Sequence, residues 1–387
     1  MDIVFTLFLI FTGSAIVASI ALYARQALIV AYIAIGILFG PSGFSLVGDP
    51  ELVKQISEIG ILFLLFLLGM HLAPQKLWHL VNETIWVAGV SSLIFAGVTY
   101  LLCIMLGFSH FESIMVGAAM MFSSTIIGLK LLPTTVLHHQ HTGEIIISVL
   151  LLQDIIAIFV LLYLKSQSAG GDTSALNVLL LLVSLPALAL IAYLLEKFIL
   201  NKLMSKFDKI QEYIFLLALG WCLGMAELAE FMGLTAEIGA FIAGITLASH
   251  RISLYIAESL KPLRDFFLVI FFFSLGASFD LVTLVDVIIP AILLAVTMLL
   301  LKPVIFSLLL RKADETPKVS SEVGVRMGQV SEFSLLIAVM ALELGVIGQQ
   351  ASYLIQLTTL ITFIISTFVI VRKYPNPIAL SDDLRRD

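Results

Sequence analysis

The chain is 387 residues long, 60% of them apolar and only 12% charged. Soluble domains carry roughly 45–50% and about 25%, so the composition excludes an ordinary soluble domain and points to a polytopic membrane protein. The net charge of −6 is spread along the chain without a basic stripe, which argues against a nucleic-acid partner.

The N-terminal run IVFTLFLIFTGSAIVASIALYA is too long for a signal-peptide core of about 7–15 residues, and only Asp2 precedes it where a basic region would stand. It reads as the first membrane span. With a window of about 20 residues per crossing, thirteen apolar segments appear in chain order. They lie near 2–23, 28–47, 52–72, 83–107, 111–132, 143–164, 174–200, 212–231, 233–249, 263–280, 283–310, 319–343 and 349–371. The boundary near Gly233 is the least defined. Connections are short and no soluble domain intervenes, so the expected fold class is an all-α integral membrane protein. If the N-terminus is outside, 17 Lys and Arg residues fall on the cytoplasmic side and two, Lys54 and Lys165, fall outside. That asymmetry orients the chain, N-terminus out and C-terminus in the cytoplasm. Cys103 and Cys222 each sit in an apolar segment and read as small buried hydrophobes, not a disulfide.

Polar residues inside these spans carry the functional signal. Span five reads HFESIMVGAAMMFSSTIIGLKLLP, with Ser123, Ser124 and Thr125 at its centre between Gly117 and Gly128. The hydroxyls either bond back to the preceding helical turn or line an unwound break of the kind that builds ion sites at a membrane midplane. Oxygen donors suit hard alkali cations, and nothing resembles a nitrogen or sulfur cage. His138, His139 and His141 follow Pro133 in a cytoplasmic turn and read as a solvated loop, with metal binding or pH sensing as the alternative. Span six, SVLLLQDIIAIFVLLYL, places Gln153 and Asp154 in mid-membrane. An ionisable group there costs roughly 2.5–3.5 kcal/mol on insertion scales and marks function by default. Asp154 is either a structural carboxylate, neutralised by a proton or a lysine, or one that alternates between proton and cation; the second reading is preferred.

Span eleven carries Lys302, followed at once by Pro303, which removes a backbone donor and kinks a helix. It lies too deep to reach the interface comfortably, so it is expected to meet a carboxylate or the carbonyl of a broken helix. Span twelve contains VRMGQVSEFSLLI, where Gln329, Ser331 and Glu332 follow Gly328. For Glu332 an ion pair with Arg326 is the competing reading. If span seven is a linker, spans one to six and eight to thirteen form two inverted six-helix halves. Spans five and twelve then correspond, both interrupted by polar residues, as in the inverted repeats of secondary transporters.

The runs LLLQDIIAI, AEIGAFIAGITLAS, PLRDFFLVIFFFSLGASFDL and GQVSEFSLLIAV together resemble the monovalent cation:proton antiporter-2 family, and the Gln-Asp pair resembles its Kef-type potassium/proton antiporters. The resemblance covers nearly the whole chain. It implies a sodium/proton antiporter-like fold of 13 transmembrane helices with two crossing, discontinuous helices, and a homodimer working by an elevator-like movement. The transmembrane domain would be residues 1–373, with a dimerisation part over spans one to three and eight to ten. The core ion-transport part would be 83–164 and 283–371, and 374–387 a short cytoplasmic tail. By position, Asp154 is the ion-binding carboxylate and Gln153 its neighbour, Ser123, Ser124 and Thr125 lie in the first crossing helix, Glu332 lies in the second with Gln329 and Ser331, and Lys302 is the basic residue facing the site. Glutathione-gated Kef proteins continue into a soluble nucleotide-binding domain; here NPIALSDDLRRD reads as a tail too short for one, so that domain is natively absent or cut away. The stretch SHRISLYIAESLKPLRD is more basic than the acidic regulatory loop of the gated members, so glutathione control is not expected.

Asp154 bearing K⁺ or a proton is neutral in either state and Gln153 does not ionise, so one-for-one electroneutral exchange is expected. Neutral loading avoids the membrane potential, worth about 2.3 kcal/mol per charge per 100 mV. A glutamine carbonyl is a neutral ligand, with an amide that can orient Asp154, which favours K⁺. The alternatives are Na⁺(Li⁺)/H⁺ antiport and, more remotely, a K⁺ efflux channel. No TVGYG filter, HExxH or GxSxG is present, so a transporter and not an enzyme is expected. No cofactor is expected, and the partners would be the transported cation, protons, the lipid of a cell (inner) membrane, a second copy of the chain and a separate cytoplasmic regulatory protein.

Overall fold

The computed structural model describes residues 3–24, 26–46, 50–71, 74–130, 141–168, 175–248, 250, 252–279 and 281–375. His138, His139 and residues 376–387 of the expected tail lie outside the described residues. Every regular element among the described residues is a helix. In chain order they are α1 (Ile3–Tyr23), α2 (Leu28–Phe39), α3 (Pro50–His71), α4 (Pro74–Met105), α5 (His110–Met120), α6 (Thr125–Lys130) and α7 (His141–Ser168). Next come α8 (Ala175–Leu195), continued by a π-turn (Glu196–Leu200) into α9 (Asn201–Phe207), then α10 (Gln211–Phe231), α11 (Ala236–Ala248) and α12 (Ser253–Ala277). The series closes with α13 (Leu281–Lys312), α14 (Pro317–Arg326), α15 (Glu332–Glu343) and α16 (Gln349–Lys373).

Each predicted apolar segment holds a helix, and segments five and twelve hold two each. Among the described residues, seven stretches are long and apolar enough to cross a membrane on their own. Uniform 20-residue windows overstate two others. At 12 and 13 residues, α2 and α11 span only about 18–20 Å, against a hydrocarbon core of about 30 Å. After Phe39 the chain leaves the helix for a turn that includes Gly43. The boundary near Gly233 is a true break, since Gly233 takes φ +78 between α10 and α11. α4 in turn begins at Pro74, well before the expected start of span four.

The chain divides into two compact units. The first comprises Met1–Ser14, Tyr32–Leu77 and Lys165–Ser278. Its helices pack through glycines that bring backbones into contact, as expected where lipid tails supply no hydrophobic drive and close van der Waals packing must serve. A Cβ at Gly36 of α2 would lie 2.1 Å from the Phe273 carbonyl of α12, and one at Gly276 would lie 2.2 Å from that of Ile33. The same reciprocal fit joins α3 and α11, where Gly69 meets the Phe241 carbonyl and Gly244 that of Phe66.

The second unit comprises Ala15–Ala31, Trp78–Leu164 and Phe279–Asp387. Its core gathers Val87 and Phe95 of α4, Ile146 and Val149 of α7, Phe306 of α13 and Val323 of α14, with Met327 just beyond. Phe95 meets Phe306 edge-on at 5.3 Å. Leu93 and Ile289, by contrast, are 72% and 78% exposed, as suits side chains that face lipid. Pro303 interrupts the hydrogen-bond ladder of α13; α14 lies against it through Gly324, and Gly328, just beyond the end of α14, packs on the Pro303 ring. A Cβ at Gly324 would approach the Pro303 carbonyl to 2.6 Å. This close approach seats the end of α14, and the chain that follows it, beside Lys302.

Candidate ion-binding site

The site lies wholly within the second unit and is built on two interrupted helices. α5 starts from a capping box: Glu112 N donates to Ser109 Oγ at 3.2 Å, and Ser109 N donates to Glu112 Oε2 at 3.2 Å. It ends at Met120, and the chain runs unwound until α6 begins at Thr125, where Ser124 Oγ accepts from Ile127 N at 3.1 Å. α14 likewise begins from Thr316 with Pro317 in its first turn and ends at Arg326. The chain unwinds over residues 327–331, then restarts as α15 with Ser331 accepting from Phe333 N at 3.1 Å. Both restarts are serine-capped. The hydroxyls of span five therefore do not simply bond back to the preceding turn.

An unwound stretch leaves backbone groups without helical partners, and buried ones are costly unless satisfied. Side chains from neighbouring helices meet that need. Gln153, fully buried on α7, lies along the first break: its Oε1 accepts from Ser123 N at 2.9 Å and its Nε2 donates to Met121 O at 3.2 Å. Gln153 thus anchors the break, instead of orienting Asp154 as expected. Lys302, also fully buried, directs its ammonium at three oxygens: Phe122 O at 2.5 Å, Gln329 O at 3.3 Å and Ser123 Oγ at 3.4 Å. Its three N–H donors thus meet acceptors from both breaks. Phe95 supplies an aromatic face 5.2 Å away. The position suits a cation, because α5 and α14 both end there and helix C-termini carry partial negative charge.

The breaks also touch directly. Ser123 Oγ donates to Met327 O at 2.9 Å, Gln329 Nε2 donates to Ser124 O at 3.4 Å, and Ser334 Oγ donates to Ala119 O at 2.5 Å. Asp154 is buried next to Gln153, its Oδ2 accepting a long 3.5 Å bond from Thr125 Oγ1. Its Oδ1 has no hydrogen-bond partner among the described residues. No ion pair joins Asp154 to Lys302 among the described residues. Glu332, the first residue of α15 and also buried, acts on Asp154 electrostatically. Glu332 therefore enters the charge count at the site beside Asp154. Arg326 pairs with Glu322 at 2.9 Å and also donates to Pro375 O at 2.9 Å.

The structure thus brings Ser123, Ser124, Thr125, Gln153, Asp154, Lys302, Gln329 and Glu332 into one connected cluster, with Ser331 as the α15 cap. Sequence reasoning missed Thr362 and Ser366 of α16. Val330 N donates to Thr362 Oγ1 at 3.1 Å, and Ser366 Oγ donates to Gln329 Oε1 at 2.9 Å. The available signal was the hydroxyl spacing in TTLITFIIST, where Thr362 and Ser366 share a helix face four residues apart. Chemically, the cluster offers one open carboxylate oxygen, a second carboxylate and several backbone and hydroxyl oxygens around a fixed ammonium.

Comparison with known proteins places the chain in a family and a fold. The family described as sodium/hydrogen exchanger, transmembrane, matches residues 7–373. The glutathione-regulated potassium-efflux system protein KefC of Salmonella arizonae is 30% identical over 334 residues, which is 85% of this chain and 54% of that protein. KefC of Escherichia coli O45:K1 is 29% identical over the same shares. The chain thus spans about half the length of these curated relatives. Among solved structures, the sodium proton antiporter MjNhaP1 from Methanocaldococcus jannaschii superposes with a TM-score of 0.73 at 18% identity, over 94% of both chains. The fold is therefore that of the sodium/proton antiporters, as the sequence reading expected, and the protein crosses the membrane several times. A family match over almost its full length, together with this fold, makes the chain a member of the sodium/hydrogen exchanger family.

Proposed function

We propose that the chain is the membrane part of a K⁺/H⁺ antiporter that carries its cation and its proton alternately on Asp154. The observation behind this reading is the open Oδ1 of a buried Asp154 at the meeting of two helix breaks. A buried carboxylate with an unfilled oxygen is stabilised by either a proton or a cation, and the two compete for it. Thr125 Oγ1, the free lone pair of Gln153 Oε1 and the break carbonyls are the remaining ligands in this scheme. Ser123, Gln329 and Lys302 hold break carbonyls in place, and Ser124 and Ser331 cap the helices that restart beyond the breaks. Lys302 does not exchange its proton, because its three donors are committed to fixed oxygens. The KefC relatives and the uncharged Gln153 support K⁺. The family description and the NhaP1 likeness support the second reading, Na⁺.

Exchange is electroneutral in this scheme so long as Glu332 keeps one protonation state through the cycle. The first unit is assigned to dimerisation and the second to the moving core, in a homodimer of the inner membrane with the N-terminus outside. A separate cytoplasmic regulator belongs to the same proposal. The test is cation-driven collapse of a preset pH gradient in liposomes, with K⁺, Rb⁺, Na⁺ and Li⁺ compared at two clamped potentials. A K⁺/Rb⁺ response independent of voltage supports the proposal. A Na⁺/Li⁺ response replaces K⁺ by Na⁺, and a voltage-dependent one brings Glu332 into the cycle.

A further inference from the structure

Gln329 links the second break to three other parts of the site. Its backbone oxygen accepts from Lys302 Nζ at 3.3 Å, its Nε2 donates to Ser124 O at 3.4 Å, and its Oε1 accepts from Ser366 Oγ at 2.9 Å. A carboxamide fits its pocket in two orientations, and here chemistry allows one. Ser124 O only accepts, so the amide nitrogen must face it; Oε1 then faces α16, where only a donor satisfies it. Ser366 is that donor. One turn away, Thr362 Oγ1 accepts from Val330 N at 3.1 Å and donates to Thr359 O at 2.8 Å. Its proton is already committed, so it presents a lone pair to the unwound strand. The two hydroxyls thus read opposite polarity, Ser366 an acceptor and Thr362 a donor, on adjacent residues of the break. Gln329, Thr362 and Ser366 are all at most 3% exposed, so water does not substitute readily.

We propose that Ser366 and Thr362 are positioning residues for cation binding, and that Ser366 acts by fixing which end of the Gln329 amide faces Ser124. The inference rests on the antiport reading for its functional consequence. Neither hydroxyl touches the cation. They set the shape of the 327–331 strand and, through Gln329, the carbonyl that helps hold Lys302. Losing Ser366 leaves Oε1 buried without a donor, so the amide turns or withdraws, and Ser124 O and the Lys302 anchor shift with it.

The test compares Ser366→Ala, Ser366→Thr and Thr362→Val in liposome exchange driven by K⁺ and by Na⁺. Ser366→Ala should raise the apparent KM for the transported cation about tenfold, the size of one lost buried hydrogen bond, while the maximal rate stays within about twofold. Ser366→Thr keeps the donor and should restore the wild-type KM. In a Gln329→Leu background, Ser366→Ala should add nothing, because its effect runs through that amide. An unchanged KM in Ser366→Ala, or an additive effect in the Gln329→Leu background, overturns the proposal. Hydrogen exchange over residues 327–331 tests the clamp without transport. Faster exchange in Ser366→Ala and Thr362→Val but not in Ser366→Thr supports it, and equal protection in all three overturns it. Survival of exchange in Asp154→Asn would instead count against the carboxylate reading and leave the clamp standing.

Discussion

Replacing Gln153 by leucine separates an anchoring role from an ion-binding one. Leucine approximates the volume but removes both amide functions, leaving Ser123 N and Met121 O, bonded at 2.9 and 3.2 Å, without partners in a buried break. Each orphaned buried group costs about 1–3 kcal/mol, so the loss is about 2–6 kcal/mol, enough to lower the apparent melting temperature by several degrees. Asp154→Asn is the matched control. It keeps an acceptor for Thr125 Oγ1 and removes no backbone partner, so its stability should lie within about 1 kcal/mol of wild type. Thermal unfolding of both variants in the same detergent, by intrinsic tryptophan fluorescence, makes the comparison. Gln153→Glu adds a check on sign: a protonated carboxyl can still donate to Met121 O, whereas a carboxylate repels it, so this variant should gain stability as pH falls. A Gln153→Leu protein as stable as Asp154→Asn would refute the anchoring role.

Asp154→Asn should abolish cation-dependent pH-gradient collapse in liposomes while leaving the protein folded, and normal rates would sink the carboxylate mechanism. Gln153→Asp shortens the side chain and adds a charge, so cation preference or voltage dependence should change; the four-cation comparison at two potentials reads both. Gly324→Ala would press its Cβ to within 2.6 Å of the Pro303 carbonyl. Such overpacking costs about 1–3 kcal/mol, to be seen as a lower melting temperature with weakened exchange, since the shift reaches Lys302.

Long apolar runs made the helices legible in the sequence, because an unbroken run of that length must satisfy its own backbone in lipid, which a helix does and the alternating pattern of a barrel strand does not match. The two breaks were legible for the converse reason: FSST and GQVSE place hydroxyls and amides where lipid-facing helices have no use for them. The early end of α2 was missed because a 20-residue window runs over the turn signal of Gly40, Pro41, Ser42 and Gly43 to reach Phe44, Leu46 and Val47. The partners of Lys302 were anticipated only as a type. A backbone carbonyl carries no signature, and Phe122 and Gln329 contribute theirs because of where the chain unwinds. Glu332 looked like a partner for Arg326 from proximity in sequence, yet helix geometry gives Arg326 to Glu322 four residues before it. Ser366 and Thr362 resembled ordinary helix hydroxyls that bond their own turn, which Thr362 in fact also does. Their second partners depend on which helix packs behind α15.

The way the two breaks are satisfied has a mechanical consequence. Gln153 comes from α7, Lys302 from α13, Thr362 and Ser366 from α16, and each is bonded to unwound chain that joins two further helices. Sliding any one of these helices by a single turn would break several buried polar contacts at once, at about 1–3 kcal/mol each. The helices around the carboxylate are therefore stitched into a stiff cassette. In the antiport scheme proposed above, any displacement of Asp154 would have to carry that cassette whole, leaving the flexing to its borders.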